Sequence, residues 1–208
     1  MKIGSSLKLA SLAAVATLTL GQFASAKVAT GTHVGDLQVT DSFGAVHDLS
    51  DFAGKNVVLE WTNHGCPYVK KHYKSNNMQA LQKEATADGD TVWLSIISSA
   101  PGTQGYVSAQ KANELTATRG AAPTSVVLDA AGIAGRKFSA KTTPHMYVIN
   151  ADQNLVYQGA IDDNRSADPA DALGARNYVR EALTAVKSGE AVTTAETSPY
   201  GCGVKYAR

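Results

Sequence analysis

The stretch VVLEWTNHGCPYVKKHY, residues 57–73, decides how the rest of the chain is interpreted. Its apolar start, residues 57–59, predicts a buried strand. After a short turn, Cys66 and Pro67 open a segment that is predicted to be helical to about Ala87. Proline is favoured at the first position of a helix because its missing N–H would have no helical partner there. The stretch therefore predicts a strand, a turn and a helix, with a cysteine at the helix N-terminus.

The position of Cys66 favours a reactive thiol. The N-terminus of a helix carries partial positive charge and free N–H groups, and both stabilise a thiolate relative to a thiol. A buried structural thiol is the alternative, but buried cysteines do not usually open polar helices.

The first 26 residues have the pattern of a secretory signal peptide. Lys2 and Lys8 give a basic start, residues 9–20 are apolar, and Ala24-Ser25-Ala26 is a cleavage site of the A-x-A type. The sequence therefore predicts export by a cleavable signal peptide to a periplasm or outside the cell, with an uncleaved anchor as the alternative. Since this segment holds two lysines and no acidic residue, its removal changes the formal net charge from +1 to −1.

The composition excludes two classes of partner. The chain has 19 basic and 18 acidic residues and no basic patch, which argues against binding to nucleic acid. No second apolar run is long enough to span a bilayer, so we expect no membrane association after signal cleavage. The remainder predicts an irregular N-terminus (27–35), one domain (36–188) and a tail (189–208).

Two cysteines, Cys66 and Cys202, are separated by 136 positions in the chain. An exported compartment permits a disulfide, but a single pair does not make a disulfide scaffold. Cys202 lies between Gly201 and Gly203 in a tail that the sequence predicts to be mobile. The pair is therefore either one structural disulfide or a redox couple.

The periodicity predicts strands that alternate with helices, and hence an α/β sandwich with a mixed sheet. The predicted strands are 37–40, 46–49, 57–61, 91–98, 125–129, 146–150 and 155–159, and the predicted helices are 66–87, 106–118, 133–140 and 173–188. The polar residues Lys70, Lys71, His72 and Lys74 are interpreted as the solvated face of a helix. Residues 162–164 are interpreted as a turn.

Four motifs together resemble the thioredoxin superfamily, and within it the secreted peroxiredoxin-like branch of the alkyl hydroperoxide reductase and thiol-specific antioxidant type. They are WTNHGCPYVKKHY (61–73), TTPHMYVIN (142–150), YQGAIDDNR (157–165) and YGCGVKY (200–206). The resemblance implies a thioredoxin-like fold, with a central mixed β-sheet between helices, an N-terminal β-hairpin and a C-terminal tail. It also implies that Thr143 and a cis-proline, Pro144, shape the substrate groove beside the reactive cysteine.

The same resemblance implies an exported thiol-dependent oxidoreductase. The Cys66 thiolate would reduce a peroxide or exchange a protein disulfide, and a partner dithiol protein would supply the electrons. No bound organic cofactor is required. Asn63 stands where a dithiol thioredoxin has the first cysteine of its C-x-x-C motif. Cys202 is therefore the only thiol in the chain that could resolve the oxidised Cys66.

Five neighbouring residues complete the predicted site. Asn63 could offer its amide to a sulfur or an oxyanion, or serve as a turn residue. His64 could act as an acid–base group or, when protonated, lower the thiol pKa; otherwise it is a solvated loop histidine. Glu60 is either a proton acceptor for the thiol or an exposed strand end. His145 and Trp61 are candidates for the groove, with a position in the core as the alternative for Trp61.

Two other functions remain open at this point. One is a non-catalytic binding or chaperone module in which the Cys66–Cys202 disulfide is structural. The other is a copper- or zinc-binding module with Cys66, His64, His145 and Cys202 as ligands.

Overall fold

The structure, a computed structural model, describes residues 28–207. Within this range the strands are β1 (Gln38–Thr40), β2 (Val46–Asp48), β3 (Asn56–Trp61), β4 (Thr91–Ile97), β5 (Ser125–Leu128), β6 (Thr142–Thr143), β7 (His145–Ile149), β8 (Leu155–Gly159) and β9 (Cys202–Gly203). The helices are α1 (Pro67–Lys74), α2 (Asn77–Thr86), α3 (Ala109–Thr118), α4 (Ile133–Lys137) and α5 (Tyr178–Lys187). Short 3₁₀ turns cover Leu49–Phe52 and Pro169–Ala172.

A five-stranded mixed sheet in the order β5-β4-β3-β7-β8 forms the centre of the fold. The pairs β3–β4 and β4–β5 are parallel, whereas β3–β7 and β7–β8 are antiparallel. β3 and β4 are buried along their whole length because both faces of the sheet are covered. The predicted α/β sandwich with a mixed sheet is confirmed, and it places the end of β3, where Cys66 follows, in the middle of the sheet.

Side chains of β3 alternate between two apolar cores, as its sequence predicts. Leu59 and Trp61 face one core, which contains Phe138 and Tyr147. Val58 faces the other, which is built mainly from α2, α5 and the opposite face of the sheet. Fully burying an apolar side chain of this size stabilises the folded state by about 1.5–3 kcal/mol. The two cores therefore hold β3 and its reactive end rigidly.

The segment after Cys66 is not the single helix that the sequence predicts. It divides into α1 and α2 because Asn76 adopts a left-handed conformation with φ 61°. Asparagine tolerates this conformation better than most residues, and one such residue is enough to interrupt a helix. The break redirects the chain so that Met78 and Leu81 of α2 reach the core.

The closing helix begins later than predicted, at Tyr178 rather than Leu173. The side chain of Asn177 accepts a hydrogen bond from the Arg180 N–H and so caps the helix. Leu173 lies before this cap and is 71% exposed. The buried face of the helix consists of Val179, Ala182 and Leu183.

The predicted N-terminal hairpin is present, and one carboxyl group secures it. β1 and β2 pair antiparallel. Asp41 accepts hydrogen bonds from the N–H groups of Phe43 and Ala45 and from the Ser125 hydroxyl of β5. Burial raises the pKa of Asp41, but these bonds and the contact with His47 outweigh it and lower the pKa to about 2.

The predicted signal peptide, residues 1–26, lies outside the described residues. Among residues 28–207, no helix has the length and apolar character needed to cross a membrane.

Candidate active site

A tight turn after β3 positions Cys66. The Asn63 carbonyl accepts a hydrogen bond from the Cys66 N–H at 3.0 Å, and the Asn63 side-chain oxygen accepts one from the Gly65 N–H at 2.9 Å. The Asn63 amide then donates to the Gln104 side-chain oxygen at 2.8 Å. Both the oxygen and the nitrogen of the Asn63 side chain are thus bonded within the loop. The residue therefore shapes the loop, which is the turn role that the sequence left open.

Cys66 is the N-cap residue of α1, with Pro67 at the first helical position, as predicted. Its side chain is fully buried. The Cys66 thiol lies 3.0 Å from the Thr143 carbonyl oxygen, to which it can donate. Four groups near the sulfur lower the pKa of the thiol: the Cys202 thiol, the N–H groups of Val69 and Cys202, and the Thr143 side chain.

These contacts set the protonation state of Cys66. Burial by itself raises the pKa of the thiol, because a buried thiolate loses its hydration. The Thr143 carbonyl also favours the protonated form, since only the thiol can donate to it. The donors to the sulfur outweigh both effects and hold the pKa of Cys66 below its usual value.

The segment before β7 brings the second cysteine to the first. The Thr143–Pro144 peptide bond is cis, as the resemblance implies. β6, immediately before it, pairs antiparallel with β9, which places Cys202 directly opposite Thr143. The Thr143 hydroxyl also contacts the Cys202 carbonyl at 3.4 Å. Cys66 and Cys202 are therefore neighbours in space although they are far apart in sequence.

Residues 200–207, which we call the strap, are docked on the domain, whereas the sequence predicts a mobile tail. The Val204 N–H donates to the Lys141 carbonyl at 3.0 Å, and the Lys205 carbonyl accepts from the Ala100 N–H at 2.8 Å. The Tyr206 hydroxyl donates to the Ala140 carbonyl at 2.8 Å. Backbone pairing with residues far away in sequence could not be foreseen from a Gly-containing tail.

The two cysteines differ in pKa. Burial and the bond to Cys66 raise the pKa of Cys202 to about 11. A deprotonated Cys66 can accept a hydrogen bond from a protonated Cys202, so each sulfur stabilises the other in the opposite form. Of the two thiols, Cys66 therefore loses its proton first and Cys202 keeps its own.

At Gly201 the backbone of the strap packs tightly against the backbone of Thr143 and Pro144. A Cβ at this position would lie 2.0 Å from the Thr143 carbonyl oxygen, and φ is +136°. We expect Gly201→Ala to lift the strap and to raise the alkylation rate of Cys66 by about tenfold or more at about pH 9, where an ordinary thiol is largely ionised. Peptide mapping after timed alkylation measures this rate.

Gly203→Ala is the matched control. A Cβ there would meet only the Lys141 carbonyl, at 3.9 Å, which is ordinary contact. Equal alkylation rates in the two variants would contradict the covering role of the strap.

A family model described as Redoxin matches residues 24–175, which is most of the chain. The chain belongs to the redoxin family. The match includes Cys66 and the Thr143–Pro144 segment and ends before the strap. Membership supports thiol-based redox activity in general terms. No curated protein sequence matches the chain.

Solved structures share the fold of this redoxin. A hypothetical protein from Sinorhizobium meliloti 1021 is 22% identical over 88% of this chain and 97% of its own, with a TM-score of 0.71. An uncharacterized conserved protein from Geobacillus kaustophilus is 20% identical over 86% and 93%, with a TM-score of 0.72. Peroxidoxin BcpB from Mycobacterium tuberculosis is 20% identical over 77% and 97%, with a TM-score of 0.53. The predicted thioredoxin-like fold is confirmed.

His64 of this redoxin is half-buried beside the Cys66 turn. Burial lowers the pKa of His64, and the positive charges of Arg119, Lys70 and Lys111 lower it further. The imidazole is therefore uncharged at neutral pH, and it does not supply the positive charge that the sequence suggests for lowering the thiol pKa. Its use as an acid–base group stays a proposal.

The structure places Glu60 in a buried polar cluster rather than at an exposed strand end. Its carboxyl group accepts hydrogen bonds from the side chains of Tyr73, Gln82, Trp93 and Ser95, at 2.8–3.1 Å. Among the described residues, these bonds do not include one with Cys66. These four hydrogen bonds are sufficient to explain why a carboxyl group is buried in the sheet, without a role for Glu60 as proton acceptor for the thiol.

Trp61 and His145 lie in the core, not in an open groove. The Trp61 indole N–H donates to the Ser98 hydroxyl at 3.0 Å. The Trp61 ring packs against the Tyr147 ring, with ring centroids 5.0 Å apart. His145 contacts the Tyr147 hydroxyl at 3.1 Å, and burial together with Lys141 lowers its pKa to about 3. Of the predicted groove residues, Thr143 and Pro144 are therefore the ones beside Cys66.

The structure does not assemble the alternative metal site. Within residues 28–207, no three His, Cys, Asp or Glu side chains are grouped so that they could hold a metal ion.

Sequence reasoning missed several residues that position the two cysteines. Gln104 reaches Asn63 from a distant loop, and the Thr143 carbonyl reaches the Cys66 thiol from the segment before β7. Lys71 and His72 are fully buried rather than solvated. One available signal was Tyr200, an aromatic residue two positions before Cys202.

Proposed function

We propose that this redoxin is an exported thiol-dependent oxidoreductase that reduces peroxides, with Cys66 as the nucleophile and Cys202 as the resolving cysteine. One observation carries the proposal: the pairing of β6 with β9 places Cys202 directly opposite Thr143, whose carbonyl oxygen lies 3.0 Å from the Cys66 thiol at the N-terminus of α1. Two thiols of opposite pKa shift, held in contact from distant parts of the chain, are suited to successive oxidation and disulfide formation.

The proposed peroxide reduction has three steps. The Cys66 thiolate attacks one peroxide oxygen, the O–O bond breaks, and the leaving alkoxide or hydroxide takes a proton, giving a sulfenic acid and an alcohol or water. The Cys202 sulfur then attacks the Cys66 sulfur and displaces water, forming the Cys66–Cys202 disulfide. A partner dithiol protein reduces this disulfide to two thiols and becomes oxidised itself.

The environment of Cys66 supports a small oxidant over a protein disulfide. Its side chain is fully buried beneath the strap. A folded protein disulfide could reach the sulfur only after the strap had been displaced, whereas a small peroxide needs much less room.

The same geometry supports a direction for the reduction step. Cys202 is partly exposed and Cys66 is not, so the incoming thiolate meets the Cys202 sulfur first. Attack there releases Cys66, which is the thiol of lower pKa and therefore the better leaving group. The partner dithiol protein would thus be linked transiently to Cys202.

A second candidate is a non-catalytic thioredoxin-fold module in which a Cys66–Cys202 disulfide is only structural. The docking of the strap on both sides of Cys202 favours it, because a permanent disulfide also needs a fixed partner. The two candidates differ in whether the disulfide is reduced and re-formed.

Mass spectrometry of the reduced mature protein tests the proposal. After one equivalent of hydrogen peroxide, rapid alkylation should reveal an intramolecular Cys66–Cys202 disulfide within seconds, and a dithiol reductant should return both thiols. A Cys66 that stays reduced over minutes would exclude the peroxidase. A disulfide that forms but resists the reductant would favour the structural alternative.

A further inference from the structure

A cluster of four buried polar side chains lies where α1, the loop after β8 and the strap meet. We call it the latch; it consists of Lys71, His72, Asp162 and Tyr200. Each is at most 4% exposed. The sequence predicts Lys71 and His72 on a solvated face and Asp162 in a turn, and the redox chemistry uses none of the four.

The Lys71 ammonium group is held by three oxygen atoms. It lies 3.1 Å from an Asp162 carboxylate oxygen, 2.5 Å from the Asn164 carbonyl and 3.4 Å from the Tyr200 hydroxyl. A buried ion pair is retained only when further hydrogen bonds compensate for lost hydration. Tyr200 and Asn164 supply these bonds.

The remaining contacts determine which groups of the latch donate hydrogen bonds and which accept them. Burial and the Lys71 charge lower the pKa of His72 to about 3, so its ring is neutral. The Asn77 amide donates to Nδ1 of His72 at 2.9 Å, which leaves the proton of the ring on Nε2. His72 Nε2 therefore donates to the Tyr200 hydroxyl at 3.2 Å, and that hydroxyl donates to Asp162.

The latch joins the two segments that carry the cysteines. Lys71 and His72 lie on α1, which Cys66 opens, and Tyr200 is two residues before Cys202. The Tyr200 ring also packs edge-on against Tyr68 of the same helix, with ring centroids 5.7 Å apart. A shift of the Tyr200 hydroxyl would therefore move Cys202 relative to Cys66.

We propose that Tyr200 is a positioning residue that, through Asp162, Lys71 and His72, holds Cys202 against Cys66 and so sets the rate and equilibrium of disulfide formation. This inference rests on the proposed redox pairing of the two cysteines. No contact of Tyr200 with a reacting atom is required.

The expected loss of effective concentration follows from the length of chain that would be free to move without the latch. The strap is next anchored upstream where the Thr197 N–H bonds to the Gln158 carbonyl. A free chain of the five residues from there to Cys202 spans about 12 Å on average. Such a tether gives the Cys202 thiol an effective concentration in the millimolar range at Cys66, which is far below the effective concentration in a fixed contact. Because the Val204–Lys141 bond remains, we expect a loss of about tenfold rather than a complete one.

Tyr200→Phe tests the inference, since it removes the hydroxyl and keeps the ring against Tyr68. Tyr68→Phe is the matched control, because the Tyr68 hydroxyl makes no hydrogen bond with any described residue. The measurement is the square of the reduced glutathione concentration divided by the oxidised glutathione concentration, at the point where half of the protein contains the Cys66–Cys202 disulfide; this value is the effective concentration of the two thiols. We expect the effective concentration to fall about tenfold in Tyr200→Phe and to stay within about twofold of wild type in Tyr68→Phe.

A second variant and a kinetic measurement separate positioning from a general loss of stability. Asp162→Asn lies outside the strap and keeps its shape, and we expect the same direction of change. Disulfide closure should slow about tenfold in Tyr200→Phe and Asp162→Asn, and it should slow by more than the first oxidation of Cys66 by hydrogen peroxide, which changes only as far as the release of Cys202 raises the thiol pKa.

An effective concentration in Tyr200→Phe equal to that in Tyr68→Phe would overturn the inference. So would an equal slowing of the first oxidation and of closure, because this would indicate a general disturbance of the site. The glutathione equilibrium needs no peroxidase activity. The experiment therefore tests the positioning role of the latch even if the proposed peroxide reduction fails.

Discussion

Replacement of Cys66 by serine should abolish thiol-dependent peroxide reduction, with a loss of at least about 1,000-fold, because a serine hydroxyl provides no thiolate. Cys66 is the cysteine at the N-terminus of α1 whose pKa is lowered by converging donors. Consumption of hydrogen peroxide by the mature protein with a dithiol donor measures the effect. Retention of more than about a tenth of the wild-type rate would contradict the assignment.

Cys202 variants provide the internal comparison. Cys202→Ser should reduce one equivalent of peroxide rapidly and then stop, because the Cys66 sulfenic acid has no partner thiol in the chain. The serine hydroxyl can still donate to the Cys66 sulfur, as the Cys202 thiol does. Cys202→Ala removes this donor, so the pKa of Cys66 should rise.

The pH profile distinguishes these two variants. The reactivity of Cys66 increases with pH as the thiolate forms and levels off above its pKa. In Cys202→Ala the midpoint of the alkylation rate should move to higher pH, whereas in Cys202→Ser it should stay close to that of the wild type. Identical midpoints in the two variants would show that the Cys202 thiol does not tune Cys66.

Replacement of Glu60 by leucine should cost at least about 3 kcal/mol of the free energy of unfolding. Glu60 is fully buried and accepts four side-chain hydrogen bonds. Leucine leaves the Tyr73, Trp93 and Ser95 donors without this acceptor, and each unsatisfied buried group costs about 1–3 kcal/mol. Since a typical domain is stable by only about 5–15 kcal/mol, urea denaturation should detect the loss easily.

Glu60→Gln is the matched variant and separates structure from chemistry. Its side-chain oxygen can still accept from Trp93 and Ser95, so the loss of stability should be smaller than in Glu60→Leu. If Glu60 is structural, as its contacts indicate, the pH midpoint of Cys66 alkylation should be unchanged in Glu60→Gln. A shift of that midpoint would restore the role of proton acceptor for the thiol.

Local features of the sequence were sufficient for most of the fold. The apolar run of β3 and the alternation of Leu59 and Trp61 with Val58 predict the buried central strand, because strand periodicity depends on adjacent residues alone. The Cys66–Pro67 pair predicts the start of α1 for the same reason. The break at Asn76 was not predicted, since the pattern of α1 and α2 is compatible with one continuous helix.

The sequence by itself determined that Cys66 stands at a helix N-terminus, that Thr143–Pro144 precedes a central strand, and that Cys202 is the only second thiol. Only the tertiary structure decided that the strap docks with Cys202 opposite Thr143, that Lys71 and His72 are buried, and that Glu60 is held away in a polar cluster. The physical reason is that helix starts and strand patterns depend on neighbours in sequence. The burial of a charge or the docking of a tail depends on partners such as Asp162 and Lys141, which are many positions away and come close only after folding.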